Sequence, residues 1–339
     1  MDALRRNLVR GLAATPLAAA WPSLAGAATE LRISHQFPGG SGEGGDFRDV
    51  VCRRFAAELG KRSAGSLAAT VYPGSSFLKT NAQFPALRKG ALDFSLVPLS
   101  YAGGEVPETN IGLMPGVVTH YEQGSAWKNS EVGKALAGVL ADKGVLVVCW
   151  IWQAGGVASR SHPVIEPADA SGLKIRGGSR EMDMVLKSAG AAVQTMPSNE
   201  IYAAMQTGAL DAAMTSSTSL ISFRLEEIAR ELTTGRGRAY WFMFEPLLVS
   251  RQVFERLTPD QQGLVMSLGA ELEKFALESA RADDRAVADV YVKAGGHAHD
   301  LDEATVRRWQ DIARRTAWQD FAARSESCAR ILQLAEKLL

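Results

Sequence analysis

Residues 84–94, FPALRKGALDF, return in outline at residues 202–212, YAAMQTGALDA. Both stretches carry a helix-like run, a glycine stop at Gly90 or Gly208, and the tetrapeptide Gly-Ala-Leu-Asp. Glycine ends helices because it enters the left-handed region without a Cβ penalty. The residues that follow Asp93 and Asp211 read as strands. The spacing therefore predicts one helix-to-strand turn made twice, and with it two α/β units of similar design.

Working outward from the first copy, ELRISH (30–35) alternates as a strand and FPGGSGEGGDF follows as a glycine-rich loop. Phe47, Val51 and Phe55 then recur at helical spacing. SLAATVYP is a second strand stopped by Pro73, and GALDFSLVPL a third. This β-α-β-α-β order favours a parallel sheet covered by helices. The second unit runs from GVLVVCWIWQ through GLKIRGG, the helix EMDMVLKSAG and the strand AAVQTMP. PSNEIYAAMQTG adds a helix that Ser198 or Asn199 would cap. Thr258 and Gln261 form a capping box with Pro259 at the first helical position. The helix they open is expected to run to about Lys293, before Gly295 and Gly296. At 1.5 Å per residue, about 35 residues span roughly 50 Å, more than one domain, so this helix should lie across both units. Two more helices are expected, in ATVRRWQDIARRTAWQDFAARS and SCARILQLAEKL.

Lys plus Arg (37) balance Asp plus Glu (37) over 339 residues, which leaves no basic excess to favour nucleic acid. The length suffices for two domains with separate cores, and no apolar run is long enough to span a bilayer. The first 27 residues read as an export signal: Arg5, Arg6 and Arg10, then an alanine-rich apolar stretch, then Ala25–Ala27. Arg5–Arg6 also resembles a twin-arginine signal. Its removal takes three arginines and one acid, leaving a slightly acidic chain. Cys52, Cys149 and Cys328 show no metal or redox spacing, and their odd count points to buried thiols.

No catalytic signature is visible. Residues 39–45, GGSGEGG, lack the Lys and Ser/Thr of a phosphate loop. His297 and His299 lack a third metal ligand. No nucleophile elbow or metalloprotease motif occurs. No enzyme activity, metal or cofactor is therefore expected. Trp150 and Trp152 flank Ile151, so strand alternation puts both on one face. Tyr240, Trp241, Phe242 and Phe244 crowd a second stretch. Core packing accounts for many of these rings, and a cleft between units would use the rest as walls.

Arg176 ends the strand-like run LKIR within SGLKIRGGSREM (171–182). The ordinary reading is a surface residue, or an ion pair with Asp211 or Glu200. Three features favour a ligand instead. Parallel sheets bind ligands beyond the carboxyl ends of their strands; Gly177 and Gly178 leave access; and Ser179 can cap a helix whose amino end favours anions. A guanidinium holds a carboxylate through two parallel bonds.

GLKIR, TMPSNEIYAAMQTGALDA, VYPGSSF and LRKGALDF, in this order and behind an export signal, resemble the solute-binding proteins of tripartite ATP-independent periplasmic (TRAP) transporters, the DctP family. The resemblance covers essentially the whole mature chain. It implies a two-lobe α/β fold with hinge strands and a long helix across both lobes. Lobe I would comprise 28–152 plus about 241–281, and lobe II 153–240 plus about 282–339. It implies a periplasmic protein that closes on a small organic acid and delivers it to a membrane permease. Arg176 matches the family's carboxylate-pairing arginine, and Thr215 a ligand-contacting position, with Ser216 beside it. Trp152 matches a wall position, with Tyr101 and Trp241 opposite, while Glu200 and Tyr202 match a structural Glu-x-Tyr. A second arginine found in sugar-acid branches is replaced by Gly156, and Arg160 is out of register with it. The tryptophans around this site favour a smaller, partly apolar or aromatic carboxylate. The alternatives are a binding protein of an ATP-driven transporter or sensor system and, less favoured, a periplasmic enzyme.

Overall fold

The computed structural model describes residues 28–42 and 44–339, so the expected export signal lies outside the described residues. Strand β1 (Thr29–His35) pairs in parallel with β2 (Leu67–Tyr72) on one side and β3 (Phe94–Leu96) on the other. Helix α1 (Phe47–Arg62) and helix α2 (Thr80–Arg88) make the crossovers. Phe47, Val51 and Phe55 are all buried, so the apolar spacing of α1 reports its core face. Helices α3 (Tyr121–Ala126) and α4 (Glu131–Asp142) lead to β4 (Val145–Cys149).

The chain then passes into a second sheet. Its strands are β5 (Trp152–Ser159), β6 (Lys174–Arg176), β7 (Ala192–Gln194), β8 (Ala212–Ser216) and β9 (Glu231–Thr234). Helices α5 (Arg180–Ser188), α6 (Ile201–Gln206) and α7 (Ser217–Ser222) connect them. Strand β10 (Phe242–Phe244) lies antiparallel to β5, and β11 (Leu247–Ser250) returns to the first sheet between β3 and β4. Up to this point the chain has crossed between the sheets at 150–151 and again at 245–246. After helix α8 (Arg251–Phe254) comes α9 (Pro259–Lys293), then β12 (His297–Asp300) on the edge of the second sheet.

Helix α9 has the expected 35 residues and the expected capping box at Thr258 and Gln261. It packs on α1 and β4 of the first unit and on α7, β5 and β12 of the second. The tail differs from the sequence reading. It forms three helices, α10 (Glu303–Arg315), α11 (Ala317–Arg324) and α12 (Glu326–Glu336), because the backbone leaves helical angles at Thr316. Helices α10 and α11 pack on α5, whereas α12 packs on α4, so the tail touches both units.

The two Gly-Ala-Leu-Asp turns are built alike. Gly90 and Gly208 both hold positive φ, at 66° and 78°. The Asp93 carboxylate accepts from the N–H of Arg32 in β1 at 2.8 Å, and Asp211 accepts from the N–H of Lys174 in β6 at 2.9 Å. Each aspartate ties its new strand to the parallel neighbour, and the registers coincide: Ser34 stands opposite Ser95, and Arg176 opposite Ala213. Arg176 therefore holds in the second sheet the place that Ser34 holds in the first.

Candidate functional site

The strand end that carries Arg176 faces the first unit. Its side chain is 2 % exposed, so desolvation must be offset by bonds. Nε donates to the Met196 carbonyl at 3.0 Å, Nη1 to the Met214 carbonyl at 2.7 Å, and Nη2 to the Tyr101 hydroxyl at 2.8 Å. All three acceptors are neutral. Neither Asp211 nor Glu200 bonds it: Asp211 lies beside Lys174, and Glu200 lines a neighbouring recess. A guanidinium carries five N–H donors, so one remains on each terminal nitrogen. That pair suits a carboxylate.

Tyr101 sits on the turn Leu99–Ala102 after β3, in the first unit, and its hydroxyl also accepts from the N–H of Ser198 at 3.0 Å. Ser198 does not cap α6, nor does Asn199. Residues 198–200 form a 3₁₀ turn after Pro197, which leaves the Ser198 N–H free for Tyr101. Further bonds close the two units on each other: Ser100 Oγ donates to the Gly178 carbonyl at 3.2 Å, and Asn110 donates to Glu181 at 2.9 Å. Ser179 caps α5 by accepting from the N–H of Met182 at 3.0 Å.

Beside this contact lies a recess of about 650 Å³, lined by Tyr101, Gly178, Asp183, Lys187, Met196 and Glu200 among others. Arg176 stands just behind its wall: a Cβ at Gly178 would come within 2.7 Å of Nη1. Burial raises the Asp183 carboxyl to about 6 and the Glu181 carboxyl to about 7; Thr195, then Arg176, pull Asp183 the other way.

The remaining expected residues separate into two faces of β5. Trp241 lies over Gly155, where a Cβ would meet its ring at 2.0 Å. Gln153 is on that same face. Trp152 is on the other. It stacks on Phe244 with centroids 5.0 Å apart and meets Trp127 edge-on at 5.0 Å. Trp150 shares that face as expected, and both tryptophans line a small recess against Glu273 and Leu277 of α9. Trp152 therefore packs behind the hinge and does not wall the space at Arg176, so these two rings supply no reason to expect an aromatic ligand. Thr215 is fully buried and its hydroxyl finds no partner among the described residues. Ser216 is engaged: it accepts from the N–H of Ser219 at 3.2 Å and from Arg48 at 3.3 Å.

Arg48 was not singled out by its sequence. It is fully buried, takes Asp46 in two bonds of 2.8 and 2.6 Å, reaches Glu245 at 3.0 Å and Ser219 at 3.0 Å, and lies 3.6 Å over the Phe37 ring. Burial opposes its charge, but Asp46 and Glu245 outweigh that and hold its pKa above the ordinary value. Its charge is spent within the protein. At Gly156 no arginine fits, since a Cβ would meet the Thr233 carbonyl at 2.5 Å. Arg160 is exposed, level with Asp211 at the opposite end of β8 from Ser216, and so is no substitute. Gln36, just past β1, was also missed. It is 1 % exposed, and neither amide atom has a partner among the described residues. The strand-end logic applied to Arg176 would have flagged it.

His297 and His299 both bond Glu231, at 2.8 and 2.7 Å. Among the described residues no group of three or more metal-ligating side chains could hold an ion, all three cysteines are free and buried, and no helix is long and apolar enough to cross a membrane.

Residues 48–325 match the family described as bacterial extracellular solute-binding protein, family 7. The chain is 61 % identical over 336 residues to a solute-binding protein of Albidiferax ferrireducens, covering 99 % of both chains. It is 24 % identical to the C4-dicarboxylate-binding periplasmic protein DctP of Rhodobacter capsulatus, covering 74 % of this chain and 76 % of that one. Among solved structures, it resembles a TRAP periplasmic solute-binding protein of Rhodoferax ferrireducens with bound malonate. That likeness has a TM-score of 0.90 and 64 % identity, and covers 91 % of this chain and 98 % of the other.

Proposed function

Because this chain belongs to the family 7 bacterial extracellular solute-binding proteins of the TRAP type, we propose that it captures a small organic carboxylate at Arg176, in the periplasm, and delivers it to the membrane subunits of a TRAP permease. One observation carries the ligand class: a buried guanidinium held only by neutral acceptors, with an N–H left on each terminal nitrogen. Asp183 lies within reach of this charge but does not bond it, and a buried charge with no charged group bonded to it is costly; a carboxylate supplies that bond with matching geometry. Tyr101, Trp241, Thr215 and Gln36 would enclose it, with Ser216 supporting α7 behind Thr215. Malonate is the first ligand to try, since the relative at 64 % identity holds it.

Calorimetry with malonate on the wild type and Arg176→Ala tests the reading. A charge-assisted bond contributes about 1.5–3 kcal/mol, so the variant should bind at least about tenfold more weakly while its melting stays cooperative. Equal affinity in a folded variant would overturn the assignment.

A further inference from the structure

Tyr101 Oη receives two hydrogen bonds, from Nη2 of Arg176 at 2.8 Å and from the N–H of Ser198 at 3.0 Å. A phenol oxygen has two lone pairs and one hydrogen. Both lone pairs are taken, so the hydroxyl hydrogen is the group left to offer. Among the described residues none accepts it. A tyrosine is ordinarily ambivalent, donating to one ligand and accepting from another. Here that freedom is gone, because neither a guanidinium nor a backbone N–H can act as acceptor. Tyr101 stands beside the two unused N–H groups of Arg176, and together they present donors only.

Resting on the reading of Arg176 as the carboxylate clamp, we infer that Tyr101 determines specificity: it donates its hydroxyl hydrogen to the ligand's carboxylate, and so selects the ionised acid against its carboxamide isostere. Carboxylate oxygens accept and never donate, so each finds a partner here. An amide NH2 group would face donors and remain unpaired, and sites built from fixed hydrogen-bonding groups reject such analogues strongly. The polarity exists only when the units are closed, since Tyr101 belongs to the first and both of its donors to the second. Discrimination would therefore be completed by closure rather than by first contact.

Binding of malonate, and displacement of malonate by malonamide, measured on the wild type, Tyr101→Phe and Arg176→Ala, tests this. Tyr101→Phe should weaken malonate about tenfold, the loss of one bond to a charged group, while malonamide competes as well as before or better. If both probes weaken in parallel, Tyr101 only supports the fold of the site and the inference falls. If malonate is unchanged in Tyr101→Phe yet lost in Arg176→Ala, the inference falls and the clamp stands. If the wild type does not bind malonate, the clamp reading falls for this ligand and takes the inference with it.

Discussion

Arg48 and Arg176 are both buried arginines, and their neighbours give them opposite work. Arg48 meets two carboxylates, so its charge is compensated and it serves as a strut between α1 and α7. Arg176 meets two carbonyls and a phenol, which orient it without neutralising it. Buried acids follow the same accounting. Glu181 is fully buried on α5, with Asn110 as its close partner and Arg324 at 3.5 Å, and burial lifts it to about 7 from 4.5. A carboxyl raised on folding binds more protons folded than unfolded between those two values. Its contribution to stability therefore falls as pH rises through that window and levels off above about 7. Glu181→Gln keeps an acceptor for Asn110 and removes the titration. Its melting temperature should exceed that of the wild type near pH 8 and the gap should shrink toward about pH 5. A constant gap across the range would show that Glu181 does not titrate there.

Among the elements, α9 depends most on a single small residue. Gly269 lies against β4, where a Cβ would stand 2.0 Å from the Val148 carbonyl oxygen and 2.6 Å from its carbon. The contact is backbone, so it cannot swing aside. Gly269→Ala gains about 1 kcal/mol of helix propensity but must push the helix off the sheet, and overpacking of this kind typically costs about 1–3 kcal/mol. A net loss in chemical denaturation is expected; a gain would mean that α9 slides without penalty. Most elements were legible in the chain because their signals are local. The capping box of Thr258 and Gln261, the glycine stops and the 3.6-residue spacing in α1 each act within a turn or two. The break at Thr316 was not legible: ARRTAWQDF continues a helical pattern, and the chain leaves it where α10 and α11 both turn to pack on α5.

At the scale of the whole molecule, the units meet through Tyr101 with Arg176 and Ser198, and through Arg48 with Ser216 and Ser219. Opening must break both sets. Ser219→Ala removes one bond to Arg48 without touching Arg176 or Tyr101. It should enlarge the ligand-free particle in solution scattering and weaken malonate severalfold, because a smaller closed fraction taxes the apparent affinity. Scattering identical to wild type would show that Arg48 does not hold the units together.

The sequence by itself determined the two α/β units, the repeated turn and the spanning helix, because hydrophobic period, caps and glycine stops are written within short windows. Only the tertiary structure decided which charges are already spent and which face of β5 each tryptophan takes. Those outcomes depend on groups far apart in the chain: Arg48 with Glu245, Tyr101 with Arg176, Gly155 beneath Trp241. A buried charge is free or neutralised according to what folding brings beside it, and no local pattern records that.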